Sequence, residues 1–197
     1  MEPVRRIVDG RRAGTVQRLL SAAVEEVRAV EYHELTVRSV ARRADVSPAT
    51  AYTYFSSKEH LVSSILWWKL QAVPIPDPVP GETAPARLVA VIRGITQLFA
   101  DEPELSRACT TALLADDAEV RRLRNQIGTE LVDRLTEAIG PMPDTAAKAL
   151  TMATVGGFVL AGTGYLPFEE LPERLADITD LLLESASPPK PRKRRAR

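Results

Sequence analysis

Apolar residues along this 197-residue chain recur every three or four positions and nowhere alternate at every second one. The first period belongs to a helix that buries one stripe, and the missing one would mark half-buried strands. Successive stripes run through Val16, Leu19, Leu20, Ala23, Val24 and Val27, then Val37, Val40, Ala41 and Ala44, then Leu61, Val62, Ile65 and Leu66. Beyond residue 82 they continue through Leu88–Phe99, Leu105–Leu114, Val120–Leu135, a weakly apolar stretch to about Tyr165, and a final set ending at Leu182. The expected fold is all-α with about nine helices.

Punctuation between the stripes places the boundaries. Thr36, Ser47 and Ser57 each stand where an N-cap is needed, and Pro48 follows at the first helical position, where its missing N–H costs nothing. The run VPIPDPVPG, Val73–Gly81, cannot continue a helix, because each proline lacks a donor and biases its predecessor towards extended backbone. These signals suggest an N-terminal arm and a unit of short helices at 1–56, a connecting helix at 57–73, a Pro-rich linker at 74–81, a helical body at 82–187, and a basic, disordered tail at 188–197.

Charge is unevenly spread. The formal net charge is zero, but residues 1–72 carry +3, residues 73–187 carry −9 and residues 188–197 carry +6. A polyanion would therefore be met by the termini, and the tail would add salt-dependent affinity. The single cysteine, Cys109, excludes an internal disulfide, and Met1–Thr15 holds four arginines with no apolar run suited to a signal peptide, so a cytoplasmic location is expected. The uncharged stretch Ala149–Phe168 is long enough to span a bilayer, but its four glycines, three threonines and Pro167 fit better a helix packed between other helices, and no membrane partner is expected.

Two short helices joined by a three-residue turn, Asp45-Val46-Ser47, match a helix-turn-helix unit that lays its second helix in the DNA major groove. On a wheel of the second helix, Ala51 and Phe55 point one way and Ala49, Thr50 and Thr53 the other, with Tyr52 and Tyr54 flanking the divide. Short side chains fit against base edges in a groove, and phenols reach phosphates while packing their rings. Asp45 occupies the turn, where left-handed backbone is often required.

The segment TVRSVARRADVSPATAYTYFSSKEHL, Thr36–Leu61, resembles the tetracycline-repressor (TetR) family of bacterial transcription regulators. That resemblance implies phosphate contacts from Thr36, Tyr54 and Lys58, and base or groove contacts from Arg38, Ser47, Ala49, Thr50, Tyr52 and Thr53. It further implies a homodimer on a palindromic double-stranded operator, and a small-molecule effector held by the helices after the linker. Where the family often has glycine, this chain has Asp45 and Ala49, and the bare recognition face shifts weight to Arg38, Arg42, Arg43 and the arm residues Arg5, Arg6, Arg11 and Arg12.

Candidates for an effector pocket are the large side chains Trp68, Phe99, Leu113, Ile127, Met152 and Phe158; the scarcity of charge within their stripes favours an apolar effector. For the dimer interface the candidates are Ala153, Gly157, Ala161 and Gly164, spaced for close helix approach, with Leu171, Leu175, Ile178 and Leu182 beside them; burial inside one monomer is the competing explanation. No catalytic, cofactor or metal-ligand pattern is present: His33 and His60 are far apart and expected to be solvated, and Asp116 and Asp117 suit a helix start. The expected function is a ligand-responsive repressor; a helical ligand-binding or scaffold protein that no longer reads DNA is the alternative.

Overall fold

A computed structural model describes residues 3–77, 79–100 and 102–186, without the side chains of 3–11 and 186. The expected basic tail and the side chains of Arg5, Arg6 and Arg11 lie outside the described residues. Among those described there are nine α-helices and no strand: α1 (Pro3–Ala29), α2 (Val37–Arg43), α3 (Pro48–Tyr54), α4 (Lys58–Ala72), α5 (Ala84–Ala100), α6 (Pro103–Leu113), α7 (Ala118–Ile139), α8 (Asp144–Gly162) and α9 (Leu171–Ala186). A single 3-10 turn, Phe168–Glu170, precedes α9.

The short helices are fixed by their caps. Thr36 Oγ1 accepts the Ser39 N–H at 3.0 Å while Ser39 Oγ accepts the Thr36 N–H at 3.3 Å, a reciprocal box at the start of α2. Ser47 Oγ accepts the Thr50 N–H at 3.1 Å and Ser57 Oγ the His60 N–H at 3.0 Å, opening α3 and α4. Caps of this kind contribute ~1 kcal/mol each, which matters for helices of seven residues such as α2 and α3. Between α2 and α3, Asp45 takes φ 52°, the left-handed geometry that the turn demands.

Two apolar cores result. The first joins α1–α4 through Leu19, Ala23, Val40, Ala51, Phe55, Leu61 and Ile65, and takes in Leu105, Ala108, Cys109 and Ala112 from α6. The second joins α5, α7, α8 and α9 through Leu88, Ile92, Leu135, Leu150, Leu171 and Leu175. Helices α4 and α6 therefore belong to both halves in effect: the proline-rich connection marks a break in the chain's path, while the first core continues across it into α6.

Polar clamps tie α4 to α7 at both ends. The Ser57 hydroxyl that caps α4 donates to Asp117 Oδ2 at 2.9 Å, and Asp117 Oδ1 accepts the Glu119 and Val120 N–H groups that open α7. At the far end, the buried Arg134 guanidinium donates to the carbonyls of Val73 and Leu70, each at 3.0 Å, and to Glu130 Oε1 at 2.8 Å. A third tie is Glu102, just before α6, which accepts from Arg28 of α1 at 2.8 Å and Lys69 of α4 at 3.2 Å.

Packing at the C-terminus uses much of the expected dimer face within one chain. Gly157, Ala161, Leu171 and Leu175 are buried within the chain, where a Cβ on Gly157 would stand 2.5 Å from Leu171 Cδ1. Ala153, Ile178 and Leu182 are partly buried against the same core, and Gly164, at φ 80°, lies exposed just past the end of α8. Gly157 serves the α8–α9 contact inside one chain. Left outside are Met152, Val155 and Leu160 of α8, Tyr165 beyond it and Leu181 of α9. Although α8 is long and apolar enough to cross a membrane by composition, its Leu150, Thr154, Gly157 and Ala161 are spent on neighbouring helices.

Candidate nucleic-acid interface and effector cavity

Helix α3 divides as its wheel requires. Ala51 and Phe55 are buried, Ser47, Pro48, Ala49, Tyr52 and Thr53 are exposed, and Thr50 and Tyr54 are half-buried at the edge. The hydroxyls of Ser47 and Thr50 stand 2.8 Å apart, and Thr53 Oγ1 donates to the Thr50 carbonyl at 2.6 Å. Those bonds hold three short polar side chains close to the backbone, leaving a low surface beside the projecting ring of Tyr52. Thr36 and Arg38 are exposed at the start of α2. Arg43, from the end of α2, is held by the buried Glu26 of α1 at 2.6 Å; burial pushes that carboxyl's pKa up, but hydrogen bonds from Arg43 and Ser39 together with the charges of Arg43 and Arg42 hold it below its usual value.

Lys58 departs from a free phosphate ligand. Its Nζ donates to the Tyr32 carbonyl at 3.1 Å and lies 4.6 Å from the Tyr32 ring centroid. Only part of its donor capacity faces outward, since one of three ammonium protons is already committed. His60, expected to be solvated, is half-buried: it packs edge-on against Phe55, with centroids 5.6 Å apart, and burial lowers its pKa.

A cavity of about 200 Å³ opens among α4, α5, α6, α7 and α8. Four of the proposed pocket residues, Phe99, Leu113, Ile127 and Phe158, line it. Two do not. Trp68 packs half-buried against the first core, and Met152 stands on the outer face of α8 with 76% of its surface exposed. Leu66, Leu70, Ile95, Cys109, Leu131 and Phe168 complete much of the wall. Their spacing is that of ordinary core positions, so nothing in sequence could separate a residue facing a void from one facing a neighbour. Burial pushes the Cys109 thiol up to about 12, and its sulfur lies 3.8 Å from the Val62 carbonyl, so it is an uncharged lining group with no thiolate character. Among the described residues no group of histidine, cysteine and carboxylate side chains is arranged to hold a metal.

Residues 19–65 match the family model described as "Bacterial regulatory proteins, tetR family". The chain is also 42% identical over 182 residues to the uncharacterized HTH-type transcriptional regulator Rv0767c of Mycobacterium tuberculosis, covering 91% of this chain and 85% of that protein. It belongs to the TetR family of bacterial transcriptional regulators. Solved TetR structures share the fold: a regulator from Rhodococcus sp. RHA1 superposes with a TM-score of 0.73 at 22% identity, covering 91% of this chain and all of that one. FadR of Thermus thermophilus, a transcriptional repressor solved with lauroyl-CoA, superposes with a TM-score of 0.62 at 21% identity, covering 90% of this chain and 97% of that one. Within this TetR chain the helix-turn-helix and the cavity share one element, α4, which follows α3 directly and contributes Leu66 and Leu70 to the cavity wall.

Proposed function

We propose that the protein is a ligand-responsive transcriptional repressor that acts from the cytoplasm as a homodimer on an approximately palindromic operator and is released when a small apolar effector fills the cavity. The observation that carries this is the double duty of α4. Its cap Ser57, three residues past the end of the reading helix, is clamped to Asp117, its last turn to Arg134, and between the clamps Leu66 and Leu70 face the void. A guest that spreads α4 from α7 must move the reading helix with it, and a discrimination of ~1 to 3 kcal/mol between the two positions changes occupancy about 5- to 150-fold. The lauroyl-CoA carried by the FadR relative supports an effector with an apolar body in this fold.

In this reading Tyr52, Thr50, Thr53, Ser47 and Ala49 meet the groove, Arg38 the base edges beside it, and Thr36, Tyr54 and Lys58 the phosphates. Two such faces would meet half-sites roughly 34 Å apart or somewhat more. The test is a gel-shift titration on the chain's own upstream region. Tyr52→Ala and Thr50→Ala, whose side chains contribute little to the core, are each expected to weaken specific binding by ~1 to 2 kcal/mol while leaving non-specific binding intact. Unchanged specific affinity in both variants would discard α3 as the reading surface.

A further inference from the structure

We propose that Arg124 is the head-group anchor of the effector cavity, so that the guest is a single-chain amphiphile with one apolar body and one anionic end. This rests on the effector role proposed above. The cavity, at about 200 Å³, exceeds the ~150 Å³ that holds a benzene-sized guest. Its inner wall is aliphatic and aromatic, with Leu66, Leu70, Phe99 and Ile127 at its centre, and would accept a short hydrocarbon without selecting among them.

Ser106 and Thr110 bring hydroxyls to the wall, but charge enters at one place. Towards solvent, where Leu114 is 62% and Val155 47% exposed, Arg124 of α7 is the one charged lining residue among those described. Its Nη1 donates to the Leu113 carbonyl at the end of α6 at 2.7 Å, and among the described residues it has no carboxylate partner. Its neighbours differ: Arg121 pairs with Asp116 at 2.8 Å and Arg122 with Glu119 at 3.0 Å. Of this arginine run, the member at the cavity is the one left unpaired. A guanidinium offers five donors in a planar fork, so one bond to a carbonyl leaves a face free for a carboxylate or phosphate. An anion bound there would compete with the Leu113 carbonyl for the same group, linking occupancy to the α6–α7 contact.

Octanoate, 1-octanol and octanoyl-coenzyme A, titrated calorimetrically against the full chain and against Arg124→Gln and Arg124→Lys, test the assignment. At least one of the two anions is expected to bind about five- to tenfold tighter than 1-octanol, an advantage that Arg124→Gln removes without changing 1-octanol binding and that Arg124→Lys partly keeps. The tighter of the two anions distinguishes a carboxylate head from a phosphate one. If 1-octanol binds with no anion advantage, or the advantage survives Arg124→Gln, the anchor is refuted while the apolar effector stands. Binding of none of the three overturns both.

Discussion

At the residue scale, Asp45 shows how a turn can work with a second-best side chain. Its φ of 52° lies where a Cβ crowds the following carbonyl, and aspartate bears this better than most residues but worse than glycine. Asp45 is exposed, so replacing it removes no core contact. Asp45→Gly is expected to raise stability by up to about 1 kcal/mol, read as a higher midpoint in urea, and to leave operator affinity unchanged. Ala51 is the opposite case. It is fully buried where α3 meets the first core, so Ala51→Leu should cost ~1 to 3 kcal/mol in the same measurement, through overpacking.

At the scale of elements, the clamps on α4 carry the argument. Arg134 is 4% exposed, and its guanidinium donates to the carbonyls of Leu70, in the last turn of α4, and Val73, just past it, besides Glu130. Arg134→Met strands those acceptors, and a loss of ~2 to 4 kcal/mol is expected in denaturant unfolding. The other clamps are set by pH. Hydrogen bonds from the Val120 N–H, and from Ser57 against the opposing effect of burial, hold Asp117 below its usual 3.8; Glu102, which burial would raise, is held below 4.5 by Arg28 and Lys69. Each contributes stability that is present above those values and lost as pH falls through the lowered folded ones. His60, lowered by burial from 6.5, has the same sign, because protonation favours the unfolded chain as pH falls below 6.5. Melting temperature should therefore decline first below pH 6.5 and more steeply below 4.5, and His60→Gln should flatten only the first part. None of these clamps was legible in the sequence. Caps at Thr36, Ser47 and Ser57 were, because a cap acts over three residues; Ser57–Asp117 and Arg134–Leu70 join positions 60 and 64 apart, and no local pattern announces them. The pocket divided for the same reason: Phe99, Leu113, Ile127 and Phe158 reach the void, but a stripe that names Met152 apolar does not say which way its helix is turned.

For the whole molecule, the residues expected at an interface and the apolar side chains that α8 and α9 leave exposed lie on different sides of α8. Gly157 marks a close approach to Leu171 of α9 in the same chain, and Ala153 and Ala161 pack into the same core. Roughly 100° to 200° around the helix stand the exposed apolar side chains Met152, Leu160 and Val155, the last also at the mouth of the cavity, with Tyr165 and Leu181 exposed nearby in sequence on the following turn and on α9. If two copies meet through this face, the two perturbations separate cleanly. Gly157→Val drives a branched side chain into Leu171 and should lower the stability of each chain by ~1 to 3 kcal/mol without changing its association state. Leu160→Glu combined with Leu181→Glu sets like charges against an apolar surface at no cost to the core, since both side chains are exposed. That variant should run as a folded monomer in size-exclusion chromatography with light scattering. Because its two reading heads are no longer tethered, operator affinity should fall by about 100-fold or more. A double variant that stays dimeric would move the interface off α8 and α9, whereas a monomer with full operator affinity would show that one reading head is enough.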